Sequence, residues 1–184
     1  LKGNSGDWRN KFGVQTGVKY INALNINNLD LQLEVNFARP YFYAYDRPAL
    51  SFTNYRNPLA HPQGANFQEL LFLARYQSFN KISLTGKVFF TNFGEDENDL
   101  NYGGNLLKST NDRVSSSGNT IGQGVGTTNT YIEFIGSYML MHNLFVDWRN
   151  IYRDKSSDIQ ARSNSSFISM ISLRWNLTRR EHEF

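Results

Sequence analysis

The chain has 184 residues, of which 40% are hydrophobic, 15% aromatic and only 19% charged, a balance that excludes disorder by composition. Its mean hydropathy of −0.51 and the lack of any apolar run near the ~20 residues a membrane helix needs exclude a helical membrane protein. A net charge of +3, scattered along the chain, is too weak for a nucleic-acid-binding face, and the absence of cysteine removes disulfides, thiol catalysis and thiolate metal sites.

In chain order, little repeats every 3.6 residues and much repeats every two, so an all-β protein is predicted. Over 12–20, Phe12, Val14, Thr16, Val18 and Tyr20 alternate with Gly13, Gln15, Gly17 and Lys19. Over 29–37, Leu29, Leu31, Leu33, Val35 and Phe37 alternate with Asp30, Gln32, Glu34 and Asn36. Both read as amphipathic strands. A third strand is predicted over 67–77, fairly apolar on both faces. A fourth covers 81–92, where Ile82, Leu84, Gly86, Val88 and Phe90 alternate with more polar neighbours. Three more follow over 130–141, 144–153 and 166–177, the last with Phe167, Ile171, Leu173 and Trp175 on one side.

The connectors between these seven strands alternate in length. Residues 21–28, 78–80 and 141–143 are short turns, whereas 46–66, 94–129 and 154–165 are long loops rich in Asn, Ser and Gly. A soluble sandwich has strands of about 5–6 residues and no reason to gather its long loops at one end. Strands of about 9–11 residues with short periplasmic turns and long extracellular loops are the parts of an antiparallel transmembrane β-barrel. Aromatic residues at the strand ends fit two interfacial belts. The outer one takes Tyr41, Phe42, Tyr43, Tyr45, Phe89, Phe90, Phe93, Tyr131, Trp148 and Tyr152; the inner one takes Tyr20, Tyr76, Phe79, Tyr138 and Trp175. The inward set then contains Lys11, Lys19, Asp30, Glu34, Arg75, Lys81, Lys87, Glu133, Asp147, Arg149 and Arg174. Simple registers place Lys19 opposite Asp30 and Asp147 opposite Arg174, an interior of paired charge. Seven strands cannot give the even number of a bacterial barrel. The chain is therefore expected to be the C-terminal part of a larger barrel, 1–184 forming one segment of it, or to close against another chain.

The loops carry little that suggests catalysis. The three histidines, at 61, 142 and 182, assemble neither a Ser-His-Asp set nor a metal site, and His61 has only Asp46 or Glu69 as nearby acids. Glu95, Asp96, Glu97 and Asp99 read as a solvated charge run without the spacing of a calcium loop. Gly122, Gly124 and Gly126 lack a following P-loop lysine and read as a flexible tether.

Arg39-Pro40-Tyr41-Phe42-Tyr43, Asn54-Tyr55, and Pro58-Leu59-Ala60-His61-Pro62 with Gly64-Ala65-Asn66-Phe67 and Glu69 resemble the C-terminal half of the Wzi-type capsule-assembly outer-membrane proteins of Bacteroidota. That group includes a gliding-motility surface protein. The resemblance implies a monomeric barrel of many strands in the outer membrane of a Gram-negative bacterium, a lectin-like role in anchoring capsular polysaccharide, and no catalysis. It also implies that Phe184 is the C-terminal aromatic read by the barrel-assembly machinery. No cofactor is expected. The expected partners are membrane lipid, surface polysaccharide and other outer-membrane proteins, without nucleic acid. Arg39, Tyr55, Arg56, Asn57, His61, Asn66 and Glu69 are the candidate polar contacts for a glycan, although the same residues could pin the loop inside a barrel. The alternative expectation is a structural subunit of a larger outer-membrane machine for secretion, motility or barrel insertion.

Overall fold

The computed structural model describes residues 5–78 and 81–176. In chain order the strands are β1 (Gly13–Tyr20), β2 (Leu29–Ala38), β3 (Thr53–Asn54), β4 (Asn57–Pro58), β5 (Phe67–Ser78), β6 (Ile82–Glu95), β7 (Val125–Met141), β8 (Leu144–Ser157) and β9 (Asn164–Trp175). Seven of them form one antiparallel sheet in the order β1-β2-β5-β6-β7-β8-β9, and β3 pairs with β4 in a separate small hairpin. Among the described residues, no helix is long and apolar enough to cross a membrane. Each predicted strand has its counterpart. The sheet is open, with β1 and β9 as its edges, and is not closed into a barrel.

The pairing registers place every second residue of neighbouring strands on a common face, because successive side chains of a strand point to opposite sides. One face collects Val18, Leu33, Phe72, Val88, Ile132, Tyr152 and Phe167 through the successive pairs Val18↔Leu33, Leu33↔Phe72, Phe72↔Val88, Val88↔Ile132, Ile132↔Tyr152 and Tyr152↔Phe167. It is uncovered: Trp148 is 50%, Trp175 65% and Ile171 77% exposed. The opposite face carries the charge, as in Asp30↔Arg75 and Lys87↔Glu133. All charged residues of the seven long strands lie there except Asp154, which sits near the loop end of β8 opposite Thr130. The inward residues expected within the strands share this face; Lys11 and Lys81 lie outside the strands.

Both expected ion pairs form, but diagonally. Lys19 stands opposite Gln32, and its Nζ reaches Asp30 Oδ2 at 3.7 Å. Asp147 stands opposite Ser172, and Arg174 Nε donates to Asp147 Oδ2 at 2.8 Å. A two-residue shift keeps the face and changes only the partner directly across. The largest network on this face centres on the buried Glu133, whose carboxylate takes Lys87 Nζ at 2.7 Å and the Arg149 guanidinium.

The turns follow from asparagine chemistry. Asn22, Asn25 and Asn28 in the first turn and Asn143 in the last have positive φ, which asparagine tolerates better than other side chains. At the opposite end the structure revises the loops. β6 runs on to Glu95, β7 begins at Val125, and β8 and β9 shorten the predicted 154–165 loop to residues 158–163. The Gly122–Gly126 stretch is not a loose tether, for Gly126 belongs to β7 and donates its N–H to Asp158. Gly124, at φ 96°, crosses so close to β6 that an added Cβ would lie 2.5 Å from Glu95 O. The acidic run is likewise engaged: Glu95 pairs with Lys155 and Arg162, and Asp96 pairs with Lys108.

The aromatic belts divide. Tyr20, Tyr76, Tyr138 and Trp175 sit at the turn end of the apolar face. Of the outer set, Phe90 and Tyr152 lie on the apolar face, whereas Phe89, Phe93 and Tyr131 lie on the polar one. Trp148 is only four residues from the start of β8, and Tyr41 is buried beneath the loops. Phe79 and Phe184 lie outside the described residues.

Candidate functional site

The long connectors 39–66 and 96–124 gather at one end of the sheet and supply half of the buried residues. Ala44, Ala65 and Leu106 form a small apolar cluster against which Phe42 and Tyr43 pack. The rest of this cap is polar and bonded internally. Tyr41, fully buried with a left-handed backbone (φ 64°), donates its N–H to Gly103 O and its hydroxyl proton to Asn101 O, each at 2.9 Å. Gly103, at φ 89°, must lack a side chain, since a Cβ there would lie 2.6 Å from Tyr41 N. Burial pushes the Tyr41 phenol pKa up. Lys11 closes the near side. Its Nζ donates to Ala44 O at 2.6 Å and lies 5.0 Å from the Trp8 ring, and burial lowers its pKa against the opposing pull of Asp46.

Asn66 is the hub of the cap. Its Nδ2 donates to Gly94 O at 3.1 Å and Gln123 O at 2.8 Å, and its Oδ1 accepts from Gly122 N at 2.8 Å. One amide side chain thereby ties the 39–66 loop to the end of β6 and to the C-terminal end of the 96–124 loop. A left-handed backbone at φ 60° presents it, a conformation for which asparagine is suited. Arg39 lies alongside, with Nη2 donating to Asn119 O and the guanidinium 5.6 Å from the Phe12 ring.

His61 and Glu69 meet, as their positions in the sequence allow. His61 Nε2 lies 3.2 Å from Glu69 Oε1, and Nδ1 accepts from Gln63 N, so the neutral ring carries its proton on Nε2 and donates it to the carboxylate. The imidazole stacks on Phe67 with ring centroids 4.4 Å apart. Glu69 also accepts from Asn36 Nδ2 at 3.2 Å and from Thr91 Oγ1 at 3.1 Å. Both residues thus spend their polar atoms on each other and on β2 and β6, which makes them pins of the loop and not open contacts. Asp46 does not pair with His61; its backbone O accepts from Ser109 Oγ.

Tyr55, Arg56 and Asn57 separate from this group. They form the tip of the β3–β4 hairpin, with Tyr55 (φ 47°) and Arg56 (φ 65°) both left-handed, as the central residues of a type I′ turn must be. Tyr55 is 92% exposed, and Asn57 Nδ2 donates back to Tyr55 O at 3.3 Å. The expected set therefore splits into an internal group (Arg39, His61, Asn66, Glu69) and a projecting tip (Tyr55, Arg56, Asn57).

Sequence reasoning missed Asn36, Asn101, Asn119 and Gln123, which carry much of the cap's hydrogen bonding. The available signal was the 22 asparagines in a weakly charged chain, a composition suited to internal amide bonding and left-handed turns. Among the described residues, no group of three or more His, Cys, Asp or Glu is placed to hold a metal ion. No family model, curated protein or solved structure matches this chain.

Proposed function

We propose that the chain is wall and mouth of a non-catalytic outer-membrane β-barrel, the C-terminal part of a larger one, that attaches or assembles surface polysaccharide. The observation carrying this reading is the division of one sheet into an uncovered apolar face and a face of ion-paired charge. In water, an apolar face of this extent exposes far more than the few hundred Å² soluble monomers tolerate. Against acyl chains it is satisfied, and the charged face then lines an enclosed interior. The loops gather at the end away from the aromatic row of Tyr20, Tyr76, Tyr138 and Trp175, as extracellular loops do. The resemblance of the Arg39–Glu69 run to capsule-assembly barrels supports polysaccharide as the ligand, and the tip residues Tyr55, Arg56 and Asn57 are the groups open to it.

Replacing Tyr55, Arg56 and Asn57 together by alanine tests the reading in cells. Polysaccharide retained at the surface, measured by glycan staining, is expected to fall several-fold while the protein still reaches the outer membrane. Undiminished retention overturns the polysaccharide role.

The unpaired edges of β1 and β9 favour a second reading, a structural subunit of a larger outer-membrane complex. Seven alternating strands leave β1 and β9 running in the same direction, so antiparallel closure takes an odd number of further strands. Stoichiometric partners retained in mild detergent would favour the complex; a lone barrel would favour the first reading.

A further inference from the structure

Beneath the 39–66 loop, at the loop end of the charged face, lies a cleft of about 210 Å³ bordered by Gln15, Asn36, Tyr43, His61 and Phe67. Asn36 is its deepest polar residue, 4% exposed. Its Nδ2 is committed to Glu69 Oε1, but its Oδ1 is buried without a hydrogen-bond partner. A buried amide oxygen left unmade costs more than an ordinary hydrogen bond contributes, so such an atom beside a cleft points to a donor that arrives from outside. The space exceeds a water's share of about 30 Å³ several-fold and suits one small ring.

The walls define that ring's chemistry. The His61 ring, stacked on the buried Phe67, supplies one aromatic face, the Tyr43 ring being packed between Phe42 and Phe52, and Gln15, whose Nε2 donates to Glu34 at 3.4 Å, adds a second amide at the mouth. No lysine or arginine borders the cleft, whereas the carboxylates of Glu69 and Glu34 each bond one of its amides. An anionic ligand would meet only negative charge, with no cation to offset it.

We infer that this cleft binds a single neutral pyranose unit, with a sugar hydroxyl donating to Asn36 Oδ1 and the apolar sugar face against the His61 ring. The inference rests on the polysaccharide reading above and deepens it, for it names an uncharged hexose or N-acetylhexosamine as the residue held at the mouth. It also separates two tasks: the exposed Tyr55–Asn57 tip meets the polymer, and the cleft selects a unit of it.

The test uses the full chain in an amine-oxide detergent, which carries no sugar headgroup, and a panel of methyl glycosides read by saturation-transfer NMR and calorimetry. The panel comprises methyl glucoside, galactoside, mannoside, N-acetylglucosaminide and glucuronide. At least one neutral glycoside is expected to bind with a Kd of about 1–10 mM, as suits one ring and few hydrogen bonds, and the glucuronide about tenfold more weakly or not at all. Asn36→Ala should weaken binding about tenfold, whereas Tyr55→Ala should leave it unchanged. Because Asn36→Ala also removes a donor to Glu69, Gln15→Ala at the exposed mouth serves as the second variant and should weaken binding about threefold with the fold intact. Failure of every neutral glycoside, a preference for the glucuronide, or wild-type affinity in both Asn36→Ala and Gln15→Ala overturns the inference. A strain lacking the protein that still retains its polysaccharide overturns the function proposed above, a result independent of the glycoside panel.

Discussion

Asn66 holds the loop cap together through one side chain, and its neighbours show why no other residue type would serve. Its amide donates twice to backbone carbonyls and accepts once from a backbone N–H. Its φ of 60° further penalises most side chains. Asn66→Ala should therefore lower stability by about 3 kcal/mol, the sum of buried groups left unpaired, and urea denaturation measures it. Asn66→Asp should be worse, because a carboxylate would face the Gly94 and Gln123 carbonyls that now accept from the amide. Tyr41 gives the cap a pH dependence. Burial raises the phenol above its ordinary 10.0, so the folded protein keeps a proton that the unfolded chain releases. Its contribution is complete below the unfolded value and is lost as pH rises through the folded one. Stability should thus fall as pH rises above about 10, with a shallower fall in Tyr41→Phe, which also loses about 1 kcal/mol at neutral pH with the bond to Asn101. Identical alkaline slopes for the two proteins would contradict this assignment.

Among the elements, the β3–β4 hairpin is the one built against local preference. A type I′ turn asks for Asn-Gly at its centre, and here it holds Tyr55 and Arg56. Replacing the pair by Asn-Gly should stabilise the hairpin by about 1 kcal/mol while removing the exposed tyrosine and guanidinium. Protection of the hairpin amides from hydrogen exchange checks the gain. Combined with diminished polysaccharide retention, it would identify the tip as a place where binding is kept at the expense of stability. The long strands, by contrast, were legible from period-two alternation, because apolar residues recur on one face of each. Their loop-side ends were not. Glu95, Val125 and Lys155 extend β6, β7 and β8 among Gly, Ser and Asn, residues whose local signal is for turns, and pairing with a neighbouring strand overrode that signal. Of the site, the meeting of His61 and Glu69 was within reach of the sequence. The separation of Tyr55–Asn57 from them was not, since it depends on where the hairpin folds.

For the whole molecule, the two faces of the sheet should respond oppositely to charge. Phe134 lies on the apolar face and Ser137, three residues along β7, on the charged one opposite Asp147. In folding equilibria measured in lipid vesicles, Phe134→Arg should cost about 2–4 kcal/mol, as arginine does at a bilayer midplane, whereas Ser137→Arg should cost under about 1 kcal/mol. Equal costs would mean that the apolar face does not meet lipid. What the sequence by itself determined was the all-β character, the seven strands and the face that carries the strands' expected inward charges, because a strand's two-residue period is local and carries its own polarity. The tertiary structure alone decided the diagonal pairing of Lys19 with Asp30 and Arg174 with Asp147, the Asn66 hub, and the partition of the candidate site. These depend on register and on contacts between residues far apart in the chain, and no local pattern specifies either.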